Sequence, residues 1–122
     1  MQNCFVHGSP FSAPDGLAVQ ERINRVAEAC REAGLLVVHA SHVLRADGSN
    51  TGVLGEIAPI VKKGLINKAS RAAALHKRLI LDPLDILLEK PRVGAFHGTD
   101  LELILRSRGI DTDRTNVIQT KT

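Results

Sequence analysis

Apolar residues recur at Val19, Ile23, Val26, Ala27 and Cys30, the spacing of a single helical stripe, while Glu21, Arg25, Glu28 and Glu32 occupy the intervening positions. This predicts a helix over residues 17–33, ended by Gly34 as a C′ glycine. The run that follows, Leu35-Leu36-Val37-Val38, is continuously apolar and β-branched at its end, which predicts a strand buried on both faces and therefore a parallel sheet. Helix followed by buried strand is half of a βαβ unit. The strand that should precede the helix has only residues 1–6 to draw on, so the first strand is expected to be a stub.

Residues 40–68 show no sustained period, and Asp47-Gly48-Ser49-Asn50-Thr51-Gly52 is a cluster of turn formers, so this excursion reads as functional or as helix of weak pattern. An Ala-rich stretch predicts a short helix over 68–78, and Asp82-Pro83 a turn. Ile86-Leu87-Leu88 predicts a second buried strand ending at Glu89-Lys90-Pro91, where the proline stops ladder pairing. Thr99-Asp100-Leu101-Glu102 has the form of a capping box, with Leu101, Ile104 and Leu105 as an apolar stripe and Gly109 as the stop, so a helix is expected over 100–108. Beyond it only Val117-Ile118 resembles strand.

The 122 residues, 43 % hydrophobic and 24 % charged, suit one soluble domain spanning 1–122. The net charge of +3 is mild, and with three Phe and neither Trp nor Tyr the chain is poorly supplied for stacking on nucleic acid, so no such partner is expected. No membrane association is expected either, because the strongest charge-free apolar stretch, 35–44, contains two histidines and falls short of the ~20 residues a spanning helix needs. Cys4 and Cys30 are too few for a disulfide scaffold and read as reduced thiols, which places the chain in the cytoplasm.

In a parallel α/β sheet the chemistry gathers at the carboxyl ends of the strands. The first strand delivers His39 and His42; the second delivers Glu89, Lys90 and Arg92, with His97 shortly after. Two histidines could share a metal ion, or could simply hydrogen-bond backbone or substrate; no third ligand stands at zinc spacing, and no metal is expected. Lys90, directly after an apolar strand, is either a solvated lysine or one whose pKa a low-dielectric floor displaces. Cys4 has no cationic or basic neighbour in sequence and reads as a small hydrophobe rather than a nucleophile. Gly52-Val53-Leu54-Gly55 lacks the spacing of a phosphate loop.

Taken in order, Met1-Gln2-Asn3-Cys4-Phe5-Val6, the Val38 to Val43 segment, the 47–52 turn, and Lys90-Pro91-Arg92 through Ala95-Phe96-His97-Gly98-Thr99-Asp100-Leu101 resemble the isochorismatase-like hydrolase superfamily over residues 1–112. The resemblance implies a three-layer α/β/α sandwich with a parallel sheet of Rossmann-like type, here missing most of the first strand and everything after the start of the fourth. It also implies an Asp-Lys-Cys site that cleaves the C–N bond of an amide or ureido group, with no cofactor. Lys90 alone maps onto that triad; the family's Asp would stand just before Met1, and its Cys beyond a strand that the polar Asp113-Arg114-Thr115-Asn116 does not resemble. The implied partners are a small-molecule substrate and a second copy in a homo-oligomer, and the chain by itself is expected to be inactive. A non-catalytic product or pseudoenzyme, and a vinyl-ether hydrolase of isochorismatase type, are the competing readings. Phe5 and Phe96 are expected near Lys90, with Gln2 and His97 offering hydrogen bonds to a polar substrate.

Overall fold

The structure, a computed structural model, describes residues 1–111. Its elements are α1 (Asn3–Val6), α2 (Gly16–Glu32), β1 (Val38–His42), α3 (Leu54–Ile57), α4 (Pro59–Lys62), β2 (Ile86–Lys90) and α5 (Leu101–Ser107). β1 and β2 pair in parallel, from Val38 opposite Ile86 to His42 opposite Lys90, so the class is mixed α/β with a parallel sheet, as expected. The expected strand material at Val117-Ile118 lies outside the described residues. Among the described residues no helix is long and apolar enough to cross a membrane.

α2 forms where the periodicity places it. Its C-terminus closes with a double bond pattern: the Leu35 amide reaches Cys30 O at 2.9 Å and the Gly34 amide reaches Arg31 O at 3.0 Å, with Gly34 at φ +76°. That closure absorbs Gly34 and Leu35, so the extended chain starts only at Val38, three residues later than the apolar run predicts. Leu35 is exposed, and β1 is half-buried along its length, with Ala40 exposed, instead of being buried on both faces. At the other end of α2, a Cβ on Gly16 would lie 2.5 Å from Val6 O, so the close crossing of α1 over this helix requires glycine.

Two further expectations are corrected. Residues 1–6 do not form a strand; after Gln2, which makes an isolated antiparallel bridge to Leu75, the chain turns into α1. Nor does 68–78 form a helix. The carbonyls that an i to i+4 ladder would use are turned outward: Ala72 O accepts from the Cys4 amide, Ala74 O from the Asn3 amide, and Ala73 O from the Gln2 side chain. Ala69, at φ +71°, turns the chain just before them. The N-terminal segment thus competes successfully for the backbone of an Ala-rich stretch whose helix propensity is only a weak prior.

The 40–68 excursion resolves into α3 and α4 and returns beside its own origin, since the Leu44 amide donates to Ile66 O and the Lys68 amide to Leu44 O. Leu44, Val61 and Ile66 then bury themselves with Cys4 and Ala73 as the core cluster, with Phe5, Phe11 and Ile60 packed on it. α5 starts at Leu101 after Asp100, and the capping box is not made. The Thr99 hydroxyl donates to Ala95 O at 2.5 Å, and Glu102 pairs with Arg106 one turn on at 2.9 Å. A partner inside the helix was available, so the glutamate did not reach back to the cap.

The sheet is anchored at its amino end by a buried ion pair that no sequence pattern announced. Both Asp85 oxygens accept from the Arg31 guanidinium, Oδ2 also meets His39 Nε2 at 2.9 Å, and the Asp82 amide donates to Oδ2 at 3.1 Å. The Asp85 side chain is 2 % exposed. Its pKa is held well below the usual carboxylate range, first by the Arg31 hydrogen bonds and then by those from Asp82 and His39, against the opposing effect of burial. A carboxyl with a depressed folded pKa contributes its full stability above the unfolded value of ~3.9 and loses it as pH falls through the folded value. Stability should accordingly drop on acidification below about pH 4. Asp85→Asn should lower unfolding free energy at pH 7 by about 3 kcal/mol, as removal of one partner of a buried pair does, and should flatten that acid limb. Chemical denaturation at pH 7 and pH 3 checks both; an unchanged acid limb in the variant would assign the pH dependence to other groups.

Candidate functional site

At the carboxyl end of the sheet, β1 and β2 finish level, with His42 and Lys90 as register partners. Register partners in a parallel ladder project from the same face, so imidazole and ammonium stem stand side by side. The ladder runs on one step further, from the Val43 amide to Lys90 O at 3.1 Å. Lys90 Nζ donates to Val93 O at 2.6 Å, and burial lowers its pKa from the ordinary lysine value.

The outer edge of β1 here is closed by a side chain. Gln2, 2 % exposed, accepts the His42 amide on Oε1 at 2.7 Å and donates Nε2 to His42 O at 2.8 Å and to Ala73 O at 2.8 Å. The carboxamide therefore acts as one rung beside His42, where no further strand pairs among the described residues. Its polar atoms are committed to backbone, so Gln2 meets the site through the peptide it holds.

His42 Nε2 lies 3.2 Å from Pro91 O. Desolvation, and then the neighbouring Lys90 and Arg92 charges, lower its pKa, while the bond to Pro91 opposes them. Arg92 ties the 47–52 turn to this end of the sheet, donating from Nη1 to Asn50 O at 3.0 Å and to Pro91 O at 2.7 Å. That turn is itself held by local bonds, from the Ser49 amide to Asp47 Oδ1 and from the Thr51 hydroxyl to Gly48 O. The excursion is thereby tied, through Arg92, to the chain just after β2.

The remaining expected residues lie in different settings. Phe5 packs on the core cluster with its ring centroid 6.4 Å from that of Phe11. Phe96 is about half exposed and lines a shallow hollow with Leu105, Arg106 and Ile110 of the α5 end. His97 is exposed on the connecting segment. His39 and His42 fall on opposite faces of β1, one bound to Asp85 and the other to Pro91, so they cannot share an ion. Cys4, 1 % exposed, has its thiol pKa pushed up to about 11 by burial, which keeps it protonated at neutral pH.

Sequence reasoning placed His42 and Arg92 at the strand ends but assigned neither a role of its own in the site. The register that joins them to Lys90 arises between strands separated by more than forty residues, and no local spacing encodes it.

Comparison with known proteins bears on the same residues. The isochorismatase domain model matches residues 1–114. The chain is 31 % identical over 107 residues to N-carbamoylsarcosine amidase of Arthrobacter sp., covering 86 % of this chain and 40 % of that protein. It is 34 % identical over 107 residues to a ureidoacrylate amidohydrolase of Methylorubrum extorquens, covering 77 % and 43 %. Among solved structures, a cysteine hydrolase from Pseudomonas syringae pv. phaseolicola superposes with a TM-score of 0.82 at 26 % identity, covering 91 % of this chain and 52 % of that one. N-carbamoylsarcosine amidase from Thermoplasma acidophilum gives a TM-score of 0.71 at 27 % identity, covering 92 % and 60 %. The chain thus spans between 40 % and 60 % of the length of these relatives.

Two outcomes follow from this geometry. Gln2→Leu leaves the His42 amide and the His42 and Ala73 carbonyls without their buried partner and should destabilise the fold by about 3 kcal/mol, read by urea unfolding; a change under ~0.5 kcal/mol would refute the clamp. Cys4 should resist alkylation by iodoacetamide at pH 8 in the folded chain and react once urea unfolds it, as mass spectrometry of the labelled peptide would show.

Proposed function

The chain belongs to the isochorismatase family, and from that premise we propose that it is the Lys90-bearing part of a hydrolase acting on the C–N bond of an amide or ureido group in a small molecule. The observation that carries the reading is the place of Lys90: it ends a parallel strand, partly desolvated, beside His42 and inside the matched region. The similar proteins named as amidases and amidohydrolases support the C–N bond as target. In this reading Lys90 is the charge-stabilising group. An ammonium in a partly desolvated setting favours the negative charge that develops on a thiolate nucleophile and on the carbonyl oxygen under attack, more than it could in water. Phe5, Phe96 and His97 would face the substrate, and Gln2 would act through the His42 peptide. The two free cysteines support a reducing, cytoplasmic setting. Exposed Leu84 and Leu87, flanking an edge of β2 unpaired among the described residues, support self-association.

A second reading, ligand binding without turnover by the 122-residue chain alone, is favoured by Cys4, whose buried, protonated thiol is no nucleophile. Only Lys90 of the expected Asp-Lys-Cys triad has a counterpart here, so hydrolysis is assigned to the triad completed by further chain. The two readings separate on one panel of amides, ureides and vinyl ethers. When the chain is extended at both ends with the corresponding segments of a relative, amides or ureides should turn over, and Lys90→Ala should remove ~10²-fold or more of that rate. The 122-residue chain alone should bind the same compounds without hydrolysing them. Retention of more than about a tenth of the activity in Lys90→Ala would sink the role given to Lys90, and turnover of the vinyl ether alone would move the chain to the other hydrolase class.

A further inference from the structure

His42 carries more organisation than a strand-end histidine needs. Its backbone is fixed on both sides, by Gln2 at N–H and C=O and by the β2 ladder running up to Val43. Among the described residues its ring has one hydrogen bond, from Nε2 to Pro91 O at 3.2 Å. A carbonyl only accepts, so Nε2 must carry the proton, and in the neutral ring Nδ1 is then a bare acceptor. The charged groups acting on the ring are Lys90 and Arg92, both on the β2 end, and together with burial they oppose a second proton. Lys90 supplies donors at this end of the sheet and has no lone pair to offer; His42 is the complementary group.

We propose that His42 is a substrate-positioning residue: with Nε2–H donated to Pro91, it offers Nδ1 to an N–H of the amide or ureido group whose carbonyl oxygen faces Lys90. The inference rests on the C–N hydrolase reading and adds to it the side of the substrate that is read. An amide or ureide carries an N–H donor next to its carbonyl acceptor, and the His42–Lys90 pair presents an acceptor next to a donor in the same order. An ester or ether of the same size lacks the N–H and loses that bond. Selectivity for nitrogen over oxygen would then reside in the ground-state contact with His42.

The test uses the 122-residue chain, nitrogen-15 imidazole spectra and a simple ureide probe, N-carbamoylglycine, titrated by amide shift changes. The expected result has three parts. His42 is a neutral Nε2–H tautomer at pH 7 and titrates below the ordinary histidine value; Lys90→Met moves that titration upward; and His42→Phe weakens probe binding about tenfold, the worth of one lost hydrogen bond. His42→Gln serves as a second variant should the Phe side chain disturb the fold. An Nδ1–H tautomer, or a titration indifferent to Lys90, would overturn the inference whatever binds. Probe binding that is equal in wild type and both variants would overturn it while leaving the hydrolase reading intact. Should wild type fail to bind the ureide while His42 shows the expected tautomer and titration, the hydrolase reading fails at its substrate and the positioning role falls with it.

Discussion

The Asp85 carboxylate is the point on which the arrangement of this chain turns. A parallel strand pair has no hairpin to fix its register; β1 and β2 are joined by a crossover of more than forty residues, and something other than the connection must align them. Asp85 sits just before β2 and takes Arg31 from the last turn of α2 and His39 from β1, with the Asp82 amide closing the loop. A buried carboxylate is expensive unless it is fully satisfied, so the only low-energy position for the start of β2 is the one that brings these partners together. Register set there is transmitted along five residues to the other end, where it puts Lys90 next to His42.

At that far end, polar side chains again substitute for backbone. Gln2 supplies one rung of hydrogen bonding to His42, and Arg92 stitches the 47–52 turn to Pro91. The site is therefore rigid where the chain is short of regular structure. Leu84 and Leu87, before and within β2, remain apolar and exposed.

Electrostatics divides the sheet into two unlike ends. The amino end holds a paired anion, which stabilises by staying ionised. The carboxyl end holds cations and an imidazole in partial burial: burial lowers the Lys90 pKa, and burial together with the Lys90 and Arg92 charges lowers that of His42. Such an end favours an electron-rich, uncharged or anionic ligand, which is the chemical character of an amide carbonyl.

Several features were legible from sequence because their causes are local. The α2 stripe and Gly34 fixed a helix and its stop through 3.6-residue periodicity and the left-handed tolerance of glycine; Ile86-Leu87-Leu88 before Pro91 fixed a strand; and the ordered motifs around Lys90 pointed to the family and to the residue. Wherever a backbone group had a choice of partner, tertiary structure decided. Residues 68–78 have the composition of a helix, yet their carbonyls went to Gln2, Asn3 and Cys4, because those amides and the Gln2 side chain would otherwise be buried without acceptors. Glu102 turned to Arg106 instead of the cap, and β1 began three residues late because the closure of α2 used the intervening chain. The pairing of His42 with Lys90, and the Asp85 contacts that enforce it, join positions some fifty residues apart. Local propensity is blind at that range, and only the packing of the whole chain specifies which polar groups must meet.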